Sequence, residues 1–196
     1  MPLRPRPPKK TARPPFNRLA NSPDPGVRVR AAGSTDVRPL ARVQLQAALT
    51  GFAHIFPDSV AKPTEAALDQ EWAPLLADPA KTVLAAIESE RIIAGVAFGD
   101  FPELAPAGCG HLAKLYVLPE AWGAGVGALL YNMAVDQLRA DGYQRLWLWV
   151  LEGNARARGM YERRGWVAQD ERRTDWPGSG VYEMGYALSL ETSTRP

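Results

Sequence analysis

Three glycines at alternate positions, Gly123, Gly125 and Gly127, open the stretch from Pro119 to Asp141. Glycine lets a backbone turn tightly and come close to a ligand with no Cβ in the way. The glycines run into an apolar pattern in which Val126, Leu129, Leu130, Met133, Ala134 and Leu138 recur at three- and four-residue spacing, which predicts an amphipathic helix. The first amides of a helix have no partner inside it and lie at the positive end of its dipole. A glycine turn feeding a helix is therefore suited to an anion, most often a phosphate. A strand-to-helix turn that merely needs small residues is the competing reading. Context excludes two other glycine loops. A P-loop needs Lys-Ser/Thr after its last glycine, where Ala128 and Leu129 stand, and a dinucleotide loop needs G-x-G-x-x-G, whereas these glycines alternate.

The neighbouring elements narrow the choice. A strand-like run, His111 to Leu118, precedes the loop. Gly142 marks the end of the helix, and Arg145 to Val150 reads as a second strand. Leu151 to Trp166 (LEGNARARGMYERRGW) then reads as a turn, a short helix from Asn154 and a stop at Gly165. This order resembles the GNAT superfamily of acyl-CoA N-acyltransferases, on the residues Leu115 to Leu130 and Asn154 to Trp166. The resemblance is strongest from Cys109 to Trp166 and extends over Val27 to Leu190. Two motifs at family spacing are more specific than either alone.

The resemblance implies a mixed α/β fold: a central, mostly antiparallel sheet of about seven strands, helices on both faces, and one splayed strand pair. The loop Trp122, Gly123, Ala124, Gly125, Val126, Gly127 and Ala128 would hold the pyrophosphate of coenzyme A. The family loop reads Gln/Arg-x-x-Gly-x-Gly/Ala, and counting back from Gly125 puts Trp122 at the Gln/Arg position. This departure removes a polar side chain near the phosphates but leaves the amides, so altered or weaker coenzyme binding is expected. The pantetheine arm would pair with the strand backbone at Leu115, Tyr116 and Val117, where one amide can polarise the thioester carbonyl.

Transfer to an amine needs two proton steps, one off the amine and one onto the departing thiolate. Tyr161 matches the family tyrosine that protonates the thiolate. Asn154 caps its helix and, in the family, lies near the coenzyme arm. His111 is the candidate base. It stands six residues before Val117, so strict alternation puts both on one strand face, and an unperturbed imidazole titrates near neutral pH. A structural histidine is the competing reading. Asp100 and Glu103 could attract a cationic amine, and His54 with Phe52 and Phe56 could line an acceptor pocket or simply pack.

The rest of the chain must position these groups. Residues 1–26 hold eight prolines, six Lys/Arg and one Asp, and read as a disordered basic tail with no capacity for a core. Residues 27–196 hold 17 Lys/Arg against 20 Asp/Glu and read as one N-acetyltransferase domain with a mildly acidic body, which argues against nucleic acid as the main ligand. Val27 to Ala31 alternates as a first strand. Helices follow to about Leu49 and from about Pro63, and strands over Thr82–Ser89 and Ile92–Gly99 meet at a tight turn at Glu90-Arg91. Two more strands flank a WPGSG turn at Trp176 to Gly180. The single cysteine, Cys109, allows no intrachain disulfide and suits a reducing, cytoplasmic setting. No run approaches the ~18 apolar residues of a membrane helix.

The expected function is direct transfer of an acetyl group from acetyl-CoA to a primary amine, small molecule or peptide, in a ternary complex and with no metal. The alternative is a coenzyme-binding sensor or interaction module without catalysis, and a homodimer stays open.

Overall fold

The computed structural model describes residues 26–190. The sequence-assigned tail, apart from Gly26, lies outside them. Among the described residues, seven strands form one sheet: β1 (Val27–Ala31), β2 (Lys81–Glu88), β3 (Arg91–Gly99), β4 (Gly110–Val117), β5 (Arg145–Leu151), β6 (Val167–Arg173) and β7 (Glu183–Ser189). Their order is β1-β2-β3-β4-β5-β7-β6. Every neighbouring pair is antiparallel except β4–β5. Four α-helices accompany them: α1 (Val37–Gly51), α2 (Glu65–Ala77), α3 (Val126–Ala140) and α4 (Ala155–Glu162). This is the mixed, mostly antiparallel fold expected from the sequence.

The burial patterns explain the layering. β2 and β3 are apolar on consecutive residues, as strands covered on both faces must be. α1 and α2 cover one face. A Cβ at Gly95 of β3 would lie 2.4 Å from Leu40 of α1 and 3.7 Å from Trp72 of α2, so the missing side chain lets these helices sit close. α3 covers the other face with Leu130, Ala134 and Leu138, all fully buried. Between β2 and β3, Ser89 and Glu90 both have positive φ, 46° and 62°, the twist a tight hairpin needs. The turn therefore falls one residue earlier than the sequence suggested.

One irregularity decides the geometry of the site. Ala97 pairs with Lys114 but Phe98 pairs with Leu112, so Ala113 is an extra residue in β4. The bulge reverses the alternation upstream of it. His111, Lys114 and Tyr116 pair with Gly99, Ala97 and Gly95 and share the α1/α2 face. Leu112, Leu115 and Val117 pair with Phe98, Val96 and Ala94 and face α3. The expectation that His111 and Val117 share a face is thus corrected: six residues of strict alternation would have kept them together, and the bulge separates them.

Candidate active site

β4 and β5 pair only at Gly110 with Leu146 and His111 with Trp147. Beyond these residues no pairing joins the two strands, which leaves a gap lined by the rest of β4 and β5. Leu118 donates its amide to Ile93 O on β3 at 2.9 Å. Backbone groups alternate sides along a strand, so Tyr116 also turns its amide and carbonyl toward β3 while Leu115 and Val117 turn theirs into the gap. Of the three strand positions read from the sequence, two turn main-chain groups into the gap.

The glycine loop lies at the open end of this gap. Gly123 and Gly125 have φ of +87° and +85°, the left-handed region where a side chain is strained. Nothing lies within 4 Å of a Cβ built on Gly123, so torsion rather than space calls for glycine there. Gly125 is the N-cap of α3, and the amide of Leu129 is the first to close a helical bond, to Gly125 O at 3.0 Å. Among the described residues, the amides of Gly123, Gly125, Val126, Gly127 and Ala128 have no hydrogen-bond partner. At Gly127 an added Cβ would come within 3.3 Å of Val117 Cγ2, so α3 starts directly against the strand that lines the gap. Five unpartnered amides at the positive end of a helix, beside an opening in the sheet, fit a diphosphate whose arm enters the opening.

Asn154 caps α4, its Oδ1 accepting the Ala157 amide at 3.1 Å. Tyr161, on the last turn, is buried between Tyr131 of α3 (ring centroids 6.3 Å) and Trp166 (5.8 Å). Burial, reinforced by Tyr131, pushes the Tyr161 phenol up from its ordinary value. It therefore stays protonated through the neutral range and can donate. Tyr161 is also close enough to Tyr116, on the gap-lining strand, to act on its phenol electrostatically. Trp166 Nε1 donates to Tyr131 Oη at 2.7 Å, which fixes one wall of the tyrosine's packing. Tyr131 carried no sequence signal beyond its place in the helix.

The model of the Acetyltransferase (GNAT) family matches residues 46–166. The chain belongs to the GNAT acetyltransferase family. It is 39% identical over 66 residues to the [Ribosomal protein bS18]-alanine N-acetyltransferase of Haemophilus influenzae, covering 34% of this chain and 44% of that protein. It is 44% identical over 61 residues to the mycothiol acetyltransferase of Beutenbergia cavernae, covering 31% and 20%. The matches thus span under half the length of these two relatives. Among solved structures, the PaiA N-acetyltransferase of Thermoplasma acidophilum in complex with coenzyme A has a similar fold, with a TM-score of 0.65, 19% identity, and 84% of this chain and 99% of that chain covered. Acetyl-CoA is the cosubstrate of the family to which the chain belongs. Among the described residues no cluster of three or more His, Cys, Asp or Glu could hold a metal, and no helix is long and apolar enough to cross a membrane.

The GNAT loop of this chain departs from the family pattern at Trp122, and the geometry shows what the indole does. Its Nε1 donates to Val117 O at 2.8 Å, one of the two carbonyls turned into the gap. Its ring lies near Gly51 at the end of α1, where an added Cβ would be 3.5 Å away, and the Arg156 guanidinium of α4 sits 4.8 Å from its centroid. Trp122 therefore stands at the gap mouth and carries a cation there. Arg156 is a functional candidate that the sequence reading missed, because only the fold brings α4 to the loop.

His111 does not suit the base role. It is 1% exposed, with its ring 5.3 Å from Phe101 and its Nδ1 buried without a hydrogen-bond partner among the described residues. Burial first, and the Arg173 charge second, push its imidazole down to about 3. Such a group is neutral at physiological pH, and its burial opposes the charge it would gain with a proton taken from an ammonium. It also lies at the paired end of β4 and β5, not where the gap opens. The unfolded imidazole titrates near 6.5, so below that pH the unfolded chain binds a proton the folded chain refuses, and stability falls as pH drops from 6.5 toward 3. The ceiling is about 1.4 kcal/mol per pH unit. The thermal midpoint should fall between pH 6.5 and pH 5, and His111→Gln should flatten that slope.

Asp100 and Glu103 also lie in the loop at the paired end, and Glu103 faces Lys81 at 3.6 Å. Of the three residues suggested for an acceptor pocket, Phe56 packs edge-on against Trp176 with centroids 4.8 Å apart, joining the loop after α1 to the loop before β7. Ile55 reaches Gly153 in the β5–α4 turn, where an added Cβ would be 3.0 Å away. These contacts put the loop after α1 beside the gap on the α1/α2 face, the side away from α3.

Proposed function

We propose that this GNAT protein transfers an acetyl group from acetyl-CoA directly to a primary amine held in a ternary complex. The observation that carries this reading is the unpaired stretch of β4 and β5 beside five free amides. The amides of the glycine loop and α3 would hold the diphosphate. The Leu115 and Val117 main chain would receive the arm, with a strand amide positioned to polarise the thioester carbonyl. Tyr161 would give its proton to the departing sulfur. The amine would approach from the α1/α2 face, across Tyr116.

Direct transfer is favoured over a covalent intermediate by the state of Cys109. It is 5% exposed at the paired end of the strands, and burial pushes its thiol up, away from a reactive thiolate. A lone buried thiol also suits a cytoplasmic setting.

A second reading, a coenzyme-binding module without catalysis, draws on the indole of Trp122 occupying the Val117 carbonyl. A thiol-release assay with acetyl-CoA separates the two. Transfer predicts release that depends on at least one amine from a panel of diamines, amino acid amides and tripeptides with free amino termini. Acetyl-CoA binding without release for any amine supports the second reading.

A further inference from the structure

The GNAT transfer reading leaves the amine's proton without an acceptor, since His111 is sealed. The sheet offers another group. Gly110 pairs with Leu146 across β4–β5, and β4 carries one extra residue at Ala113. Carried past the bulge, that register sets Tyr116 level with Leu151 on the far side of the gap. Leu151 pairs with Glu183 of β7, and Glu183 pairs with Arg173 of β6. Tyr116, Leu151, Glu183 and Arg173 therefore form one row across the sheet, with Glu183 one strand beyond the gap.

The row also shares a face. Tyr116 pairs with Gly95, whose open side meets Leu40 and Trp72. Glu183 is two residues from Gly185, where an added Cβ would lie 2.3 Å from Trp147, and Trp147 pairs across the gap's closed end with His111 on that same face. Arg173 lies over the Trp149 ring, 4.7 Å from its centroid, and donates from Nε to Glu183 Oε2 at 2.7 Å. Glu183 Oε1 has no hydrogen bond among the described residues. Its side chain is 16% exposed, enclosed but reachable. The Glu183 charge acts on the Tyr116 phenol, which places the carboxylate within electrostatic range of the gap-lining strand.

The other charged groups nearby are committed elsewhere. Glu71 of α2 holds Lys114 at 2.6 Å, and Lys114 also reaches Gln44 at 3.1 Å. Arg172 pairs with Glu152 and stacks on Tyr182. Tyr116 and Tyr161 are neutral phenols, both pushed up by burial.

We propose that Glu183 receives the acceptor ammonium at the strand gap and takes its proton, while Arg173 acts as a positioning residue that fixes the carboxylate. This deepens the transfer reading and rests on it. An N–H bond of the ammonium breaks and its proton moves to Glu183 Oε1, directly or through one water. The freed lone pair forms the C–N bond to the thioester carbonyl carbon. The C–S bond then breaks with its electron pair on sulfur. The nitrogen's second surplus proton leaves as the thiolate is protonated through Tyr161. Amide and thiol result, and the proton held by Glu183 passes to solvent.

The test is the pH profile of kcat/KM for Glu183→Gln and Glu183→Asp, read by thiol release with a diamine and a tripeptide bearing a free amino terminus. At pH 7 Glu183→Gln should lose roughly 100-fold, the low end of what a positioned base supplies. The deficit should close as pH rises toward the amine's own pKa, about 10 for the diamine and about 8 for the peptide amino terminus, where solution supplies the free amine. Glu183→Asp should keep part of the rate and the wild-type shape, and acetyl-CoA binding should be unchanged in both. Wild-type rates in Glu183→Gln at pH 7 overturn the assignment alone. So does an equal loss in Asp and Gln at every pH, which marks a structural role. No thiol release from the wild type with any amine overturns the transfer reading itself.

Discussion

Tyr161→Phe should lower kcat for thiol release by about 100- to 1,000-fold, in the lower half of what one general acid supplies. Its dissociation constant for acetyl-CoA should stay within about twofold, because the loop amides that grip the diphosphate are untouched. The ring remains in place, so contacts with Tyr131 and Trp166 survive and the packing of α3 on α4 persists. Only the hydroxyl is lost. Its raised pKa keeps it protonated at neutral pH, so the loss should appear across the whole neutral range and not as a shifted limb. Tyr131→Phe is the companion variant. It leaves the buried indole N–H of Trp166 without its 2.7 Å partner, so it should lower the thermal midpoint more than it lowers turnover. Pre-steady-state thiol release beside calorimetric acetyl-CoA binding separates the two effects. Full turnover in Tyr161→Phe removes that residue from the mechanism.

Gly125→Val should raise the dissociation constant for acetyl-CoA at least about 100-fold, equivalent to about 2.8 kcal/mol. Gly125 sits at φ +85° as the N-cap of α3, and a β-branched residue there costs on the order of 1–3 kcal/mol in backbone strain. The strain is relieved by rotating the peptide planes that aim the Val126, Gly127 and Ala128 amides. The ligand then loses its donors as well as its space. Gly127→Ala is the informative contrast. Its φ is not left-handed, and the added methyl meets only Val117 Cγ2 at 3.3 Å, so a shift of a few tenths of an ångström admits it. Calorimetric titration of both variants should show a large effect at Gly125 and a small one at Gly127. Equal effects mean that bulk alone, not amide orientation, governs binding.

Much of the fold was legible because it rests on local rules. The period of Val126, Leu129, Leu130, Met133, Ala134 and Leu138 fixes the inner side of α3: all are buried except Met133, which is half-buried. The apolar runs of β2 and β3 announced two strands joined by a tight turn. Asn154 capped its helix as its side chain dictates. The glycine loop was legible for the same reason: left-handed torsions at Gly123 and Gly125 leave a trace in residue type.

What the sequence hid depends on pairing between distant segments. The bulge at Ala113 has no signature of its own, since it is set by how β3 and β4 register, yet it decides which face His111 occupies. Burial of His111 comes from Phe101 and the sheet around it, so its reference titration range was misleading. Trp122 read as a lost polar contact, but its indole finds a carbonyl five residues back along the chain. Glu183 lies 67 positions from Tyr116 in sequence and joins its row only through β5 and β7.

The most direct test is an amide NMR titration of the 15N-labelled protein with acetyl-CoA. The amides of Gly123, Gly125, Val126, Gly127 and Ala128 should move furthest and lose solvent exchange, with Leu115 and Val117 following as the arm enters the gap. Saturation with those seven amides unmoved, and the shifts gathered elsewhere on the sheet, would contradict the account.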